Sequence, residues 1–204
     1  QAGQYATLVV ETENGKIARP YSICSAPGDK TLEFYCDLEP RGEFTPLAWD
    51  MTVGSEIYVQ DEAGGSLLFN PDLDQHLMVA TVTGAGPFIS MIRKLKPDPQ
   101  SHKVRLLHGC SYGYELGDYQ DELTALAVEP WFSYTPVMSR PWSDPHWEGE
   151  RGRAEDVFRK YLDQDLTDKI QVYACGHTGM VANIEAMISR AGLPPKVLRR
   201  ELYV

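Results

Sequence analysis

Two hydrophobic patterns that do not belong to one kind of sheet share this chain, and they meet near Asn70-Pro71-Asp72. Upstream, residues 31–38 alternate Leu32, Phe34, Cys36 and Leu38 against Thr31, Glu33, Tyr35 and Asp37, the period of two of a half-buried strand. Residues 4–10 form an apolar stretch running into E-T-E-N-G, where Asn14-Gly15 signals a hairpin turn. Residues 17–24 are extended and carry Pro20, which suits an edge strand; residues 55–60 make a further strand. Short strands punctuated by Gly, Pro and Asp predict an antiparallel barrel or sandwich. Downstream the apolar runs are continuous, at residues 77–82, 104–108, 132–138 and 170–174. Helical patterns follow at 88–95, 154–162 and 178–191, with a polar-apolar segment at 115–128. Such runs are strands buried on both faces, and their alternation with helices predicts a parallel α/β sheet.

Charge breaks at the same place. Residues 1–73 carry four basic and twelve acidic side chains, whereas 74–204 carry fifteen and seventeen. A boundary between 1–73 and 74–204 is therefore expected. The net charge of −10 disfavours nucleic acid, whose phosphates need a concentrated basic surface. No apolar run approaches membrane-spanning length. Cys24, Cys36, Cys110 and Cys175 lie far apart with no C-x-x-C, which argues against a zinc ribbon, an iron–sulfur cluster or a disulfide framework. Free thiols and the absence of a charged-then-apolar leader after Gln1 make a cytoplasmic setting the expectation. His108 and His177 have no partners at metal-ligand spacing, so no metal is expected; His76 and His102 read as surface positions, and His146 as part of an aromatic-rich loop. No Ser occupies a G-x-S-x-G turn.

Five segments carry groups suited to chemistry, and each also has an ordinary structural reading. Arg19-Pro20-Tyr21-Ser22 puts a phosphate-matching guanidinium and a stackable phenol on one side of an extended stretch, with Ser22 on the other; alternatively it is a plain edge strand. Gly42 and Thr45 precede a short helix with Pro46 at its start, whose N–H groups suit a phosphate or simply a capped turn. Thr83, Gly84 and Gly86 lie in T-G-A-G-P between a buried strand and a helix, where a backbone can approach a pyrophosphate; a tight βα turn is the alternative. Ser139-Arg140 ends a strand at the edge where α/β sheets bind ligands, or is a solvated loop. Cys175-Gly176, followed by Met180, repeats the strand–Gly–helix arrangement, with Cys175 a ligand-lining thiol or buried filler.

Arg19-Pro-Tyr21-Ser22, Gly42-x-x-Thr45, T-G-A-G-P-F, Ser139-Arg140, Cys175-Gly176-x-x-x-Met180 and the terminal Glu201-Leu-Tyr203, in this order, resemble the ferredoxin–NADP reductase family over essentially the whole chain. The resemblance implies an FAD-binding antiparallel barrel followed by an α/β NADP-binding domain. It implies that Arg19, Gly42 and Thr45 hold the FAD pyrophosphate, that Tyr21 stacks on the isoalloxazine, and that Ser22 hydrogen-bonds near flavin N5. Thr83, Gly84 and Gly86 would meet the NADP pyrophosphate and nicotinamide. Ser139 and Arg140, with Arg151 or Arg153 alongside, would meet the 2′-phosphate. Cys175 and Gly176 would line the nicotinamide pocket, Met180 belonging to the same cofactor-binding segment. Glu201 and Tyr203 would lie at the flavin's other face, Tyr203 covering the ring. Ser22, Cys175, Glu201 and Tyr203 are the implied catalytic set.

The implied activity is electron transfer between NADPH and a one-electron carrier, ferredoxin or flavodoxin. An NADH-dependent reductase of an oxygenase system and a non-catalytic nucleotide-binding module are the alternatives. Basic clusters at Arg93/Lys94/Lys96 and Lys196/Arg199/Arg200 are candidate docking points for an acidic carrier, or solvated helix and tail surface. The chain departs from the family pattern in Val82, where relatives have Gly, and in Val204 after Tyr203. It begins at a point that in relatives follows about two barrel strands, so an N-terminally incomplete barrel is expected.

Overall fold

The computed structural model describes residues 1–162 and 169–203. Strand β1 (Tyr5–Thr12) turns through Glu13-Asn14 into β2 (Gly15–Ser22), with Thr12 opposite Gly15. Gly15 takes φ 124°, so the glycine closes the hairpin one position later than the centre of its turn. The short helix α1 (Thr45–Trp49) has Pro46 in its first turn, and the two-residue β3 (Tyr58–Val59) pairs with β1. The sheet order is β2-β1-β3. Pro20 thus sits on an edge, where its missing N–H interrupts no inner ladder.

The second sheet is parallel throughout. Its strands are β4 (Gln75–Thr81), β5 (Lys103–Cys110), β6 (Phe132–Met138), β7 (Glu150–Arg151), β8 (Ile170–Gly176) and β9 (Leu198–Leu202). Helices α2 (Gly86–Leu95), α3 (Tyr119–Leu126), α4 (Ala154–Leu162) and α5 (Thr178–Arg190) connect them. The order β7-β6-β5-β4-β8-β9 means the chain builds outward from β4 in one direction, then crosses back to β8 and builds in the other.

The continuous apolar runs follow from this layering. Along β4, Met78 and Ala80 pack with Phe88, Ile89 and Ile92 of α2, while Leu77 and Val79 pack with Phe158 of α4 and Ile184 of α5. Both faces are covered, so the run Leu77–Ala80 is apolar throughout, with the polar residues of β4 at its ends.

Segment 31–38 is not a strand. It makes a single bridge, Ile23 to Phe34, and Leu32 and Leu38 are 54% and 37% exposed. Its alternate residues reach instead to the second sheet's helices. Tyr119 Oη donates to Glu33 Oε1 at 2.6 Å, Tyr35 Oη donates to the Glu115 carbonyl, and Arg93 pairs with Glu33 at 3.0 Å and Glu122 at 2.6 Å. Arg93 also donates to the Cys24 carbonyl, so it joins the two sheets and is not a free docking cation. Segment 55–60 keeps only the two exposed residues of β3.

Lys196 lies in a short 3₁₀ turn. Arg199 and Arg200 are in β9, Arg199 donating to the Leu68 carbonyl and Arg200 pairing with Glu185 at 3.2 Å.

His76 and His102, read as surface positions, are buried at 2% and 6% exposure. His76 Nε2 is 3.2 Å from His102 Nδ1 and its Nδ1 is 3.3 Å from Tyr173 Oη, with Phe69 packed against both rings. Partners supplied by Tyr173 and by the Leu73 carbonyl make the imidazoles acceptable core groups. Among the described residues no helix is long and apolar enough to cross a membrane.

Candidate functional site

The chain reverses direction across the sheet between β4 and β8, and open α/β sheets form their ligand crevice at the carboxyl ends of such strands. A cavity of about 630 Å³ opens there, with Thr83, Ser139, Arg140, Gly176, Met180 and Tyr203 among its lining residues. Six positions singled out from sequence, from four separate segments, thus meet at one place.

Two glycines let the strand ends come this close. A Cβ on Gly84 would lie 2.4 Å from the Cys175 carbonyl oxygen, and one on Gly176, at φ 122°, 2.3 Å from Thr81 Oγ1. Backbone packs directly on backbone, and Thr81 Oγ1 accepts from the His177 N–H at 2.8 Å. Val82, where the resemblance leads one to expect Gly, takes φ 45°. It adopts the left-handed conformation that a glycine would take freely, a strain of about 1–3 kcal/mol that surrounding contacts must hold.

His108 supplies one such contact. Its Nε2 lies 2.8 Å from the Val82 carbonyl and its Nδ1 3.2 Å from Tyr134 Oη. Facing a carbonyl, Nε2 carries the proton, and Nδ1 accepts from the phenol. Complete burial pushes the His108 pKa down to about 4, so the imidazole is a neutral clamp at neutral pH. Nothing in the sequence around His108 announced this, because the role depends on the backbone angle of a residue 26 positions away.

Tyr203 knits the segments together. Its hydroxyl donates to the Thr83 carbonyl at 3.3 Å and accepts from Ser22 Oγ at 2.7 Å, while its N–H reaches the Gly176 carbonyl. Ser22 is the buried end of β2, so this bond spans the two sheets. Gly86 allows the approach: an added Cβ would lie 3.3 Å from Ser22 Cβ and 3.2 Å from Cys24 Sγ. Burial, then Cys175, raises the Tyr203 pKa.

Other sequence candidates lie apart from the cavity. Cys175 is fully buried, and its thiol is held protonated chiefly by that burial. Glu201 of β9 lies opposite Cys175 of β8, but its side chain sits toward the first sheet, Oε2 3.2 Å from where a Cβ of Gly65 would be. Burial raises its pKa. Val204 lies outside the described residues.

Arg19, Tyr21, Gly42 and Thr45 form their own cluster at β2 and α1. Arg19 pairs with Glu43 at 2.6 Å, and the Tyr21 ring lies 5.1 Å from that of Phe44. The Thr45 hydroxyl and the Gly42 N–H both bond to Glu39, closing the 39–45 loop on itself.

On the cavity rim, sequence reasoning had singled out Arg140 but not its support. Its guanidinium carbon lies 5.0 Å from the centroid of the Tyr112 ring and Nη1 donates to Tyr112 Oη. Among the described residues no carboxylate pairs with it. Arg153 also lines the cavity, 3.8 Å from the buried carboxylate of Glu155; Arg151 is not among the lining residues. No group of three metal-ligating side chains occurs among the described residues. The cavity therefore offers close backbone, hydroxyls, the Arg140 guanidinium with no carboxylate partner among the described residues, and, on the α4 side, Arg153 beside the carboxylates of Glu155 and Asp156. Guanidinium, hydroxyls and close backbone suit a phosphorylated, partly planar ligand that meets the Arg140 side.

Residues 78–186 match the oxidoreductase NAD-binding domain family. The chain is 30% identical over its whole length to ferredoxin–NADP reductase B of Sorangium cellulosum, covering 85% of that protein. It is 34% identical over 61% of its length to the flavodoxin/ferredoxin–NADP reductase of Buchnera aphidicola subsp. Baizongia pistaciae, covering 51% of that protein. Among solved structures, a Neisseria gonorrhoeae ferredoxin NADP+ reductase with bound FAD and NADP superposes with a TM-score of 0.85 at 27% identity, over 99% of this chain and 86% of that one. The chain spans 51–62% of the length of several flavodoxin/ferredoxin–NADP reductases that it matches.

Proposed function

Because the chain belongs to the ferredoxin–NADP reductase family, we propose that it is an FAD-dependent oxidoreductase passing electrons between NADPH and a one-electron carrier, a ferredoxin or flavodoxin. Residues 1–73 then form the flavin part, corresponding to the family's barrel, and 74–204 the nucleotide part. The observation that carries this reading is the meeting of Thr83, Arg140, Gly176 and Tyr203 at the β4/β8 crevice, with Tyr203 bonded to Ser22 across the sheets.

A bound flavin would supply the redox chemistry, taking a hydride at N5 and giving up electrons one at a time. The chain's part is to bind, orient and exclude water. Arg19 holds the flavin's pyrophosphate, for which it must leave Glu43. Tyr21 offers its ring as a stacking face, Gly42 and Thr45 frame the loop beside it, and Ser22 Oγ supplies a hydroxyl at the edge of the reacting ring. On the nucleotide side, Thr83 lines the cavity while Gly84 and Gly86 let the strand ends and Ser22 pack close enough to frame it, and Arg140 with Ser139 takes a ribose phosphate. Gly176 and Met180 line the cavity, with Cys175 buried behind Gly176. Tyr203 closes the gap between the two halves until a ring displaces it. Glu201 lies nearby with its proton held more tightly than in water.

The choice of NADPH rests on Arg140, because guanidinium attracts a ribose phosphate that a carboxylate would repel. The purified chain should take up FAD, show the visible flavin absorption band, and lose it on adding NADPH faster than on adding NADH. Arg140→Glu should lower the NADPH/NADH preference about tenfold or more. A protein that stays colourless with added FAD overturns the enzyme reading; an unchanged preference overturns the choice of NADPH.

A further inference from the structure

Tyr112 is remote from every sequence motif discussed above, yet its geometry bears on what the cavity selects. The Arg140 guanidinium lies over its ring at 5.0 Å and donates to its hydroxyl. The Tyr112 ring is itself backed by Tyr114, centroids 5.6 Å apart and 7° from parallel. The main chain under Tyr112 is fixed as well, because the Glu115 carboxylate accepts from the N–H groups of Ser111 and Tyr112. Guanidinium and Tyr112, and Tyr112 and Tyr114, are thus in contact pair by pair on an anchored turn.

The Arg140–Tyr112 pair stands between two cavities. Arg140 lines the one at the β4/β8 crevice, whereas Tyr112 lines a neighbouring cavity of about 650 Å³ shared with Tyr134 and Trp147. Tyr112 is not among the residues lining the crevice, so its influence there runs through Arg140. An Arg has five N–H donors in a fixed fork. Tyr112 takes one donor and one face of the cation, and the rest of the fork remains available for two oxygens of a phosphate.

We propose that Tyr112 is a positioning residue that sets discrimination for a 2′-phosphorylated adenosine by holding Arg140 in place. The inference rests on the reading of Arg140 given above. An exposed Arg on a flexible stem loses rotamer freedom when it grips a ligand, and a guanidinium already stacked loses less. No contact between Tyr112 and the ligand is required.

Calorimetric titration of the full chain with 2′-phospho-AMP and with AMP tests this without any flavin. The wild type should bind 2′-phospho-AMP more tightly, and Arg140→Met should erase most of that advantage. Tyr112→Leu should lower the 2′-phospho-AMP/AMP ratio about three- to fivefold, the scale of an exposed cation–ring contact, and leave AMP affinity unchanged. Tyr112→Phe, which keeps the ring, should fall between. With Arg140→Met already present, Tyr112→Leu should have no further effect. An unchanged ratio in Arg140→Met overturns the nucleotide reading itself. A ratio that responds to Arg140→Met but not to Tyr112→Leu overturns the role of Tyr112 alone. Equal weakening of both ligands, or a full Tyr112→Leu effect without Arg140, makes Tyr112 a wall of the site and overturns it too.

Discussion

Each region presents an exposed guanidinium suited to phosphate, Arg19 and Arg140, and these two are held in opposite ways. Arg19 in the antiparallel region is paired with the carboxylate of Glu43, whereas Arg140 in the parallel region lies on an aromatic ring with no carboxylate partner among the described residues. The surroundings differ in the same sense. Before residue 73 the described buried apolar side chains are few, with Leu8, Val10 and Phe44 forming a small cluster, while Val53, Ile57, Tyr58 and Val59 are exposed. After it, two cores sandwich a sheet whose inner strands are covered on both faces. A region buried on both sides can hold strained backbone and neutral histidines in place. A thin one relies on turns and surface pairs.

Acid should expose this contrast most strongly. All five histidines lie after residue 73, and burial pushes both His76 and His108 to about 4, with neighbouring His102 adding to the effect on His76. Their folded values lie below the unfolded value of about 6.5, so the unfolded chain binds more protons in between. The stability these neutral rings allow is complete above about pH 6.5 and is lost as pH falls towards about 4. Glu201, raised by burial, acts in the opposite direction, gaining a proton more readily when folded. Between pH 7 and pH 5 the two histidines together should remove about 4 kcal/mol, measured by urea unfolding at a series of pH values. His108→Gln, which keeps a donor for the Val82 carbonyl, should flatten the dependence by about half. Stability that is constant over that range would mean the parallel core does not enforce neutral histidines.

The glycines give the next largest effect. Gly15 and Gly176 have nearly the same φ, 124° and 122°. Around Gly15 nothing would lie within 4 Å of an added Cβ, whereas at Gly176 it would meet the Thr81 side chain and backbone at 2.3–3.1 Å. Gly15→Ala should therefore lose only conformational strain, about 1 kcal/mol. Gly176→Ala adds a steric clash to that strain and should lose about 3 kcal/mol, with loss of nucleotide binding. Equal losses in urea melts would show that the crevice is no tighter than the hairpin.

What the sequence made legible follows the same division. Runs such as Leu77-Met78-Val79-Ala80 could be read because burial on both faces leaves a signature that local context does not disguise. The antiparallel region misled because period-two alternation arises from any extended chain with two environments. In segment 31–38 Glu33 and Tyr35 reach the other sheet's helices, Phe34 joins the small cluster of Leu8, Val10 and Phe44, and Leu32 and Leu38 meet solvent, which are not the two faces of a strand. Strand β9 escaped notice because Arg199, Arg200 and Glu201 put charge on a sheet edge. The motif residues at the crevice were found from order and resemblance, but the supporting groups were not. His108 matters through the φ of Val82, and Tyr112 through a stack with a residue 28 positions on, and neither relation has a sequence period.

The smallest expected change in stability separates the two guanidiniums most directly. The side chains of Arg19 and Glu43 are 47% and 70% exposed, so Glu43→Gln should alter stability by no more than about 0.5 kcal/mol. On the proposed flavin reading its effect on binding has a definite sign. A pyrophosphate arriving at Arg19 must displace the Glu43 carboxylate and then sit near its charge, a repulsion of about 1 kcal/mol at hydrated distances. Glu43→Gln should therefore tighten FAD binding about three- to fivefold, measured by quenching of flavin fluorescence. Raising the salt concentration should shrink the difference between variant and wild type, since exposed charges are screened. If Glu43→Gln instead weakens binding, the carboxylate orients Arg19 much as Tyr112 is proposed to orient Arg140. The two regions would then hold their guanidiniums by different groups to the same end.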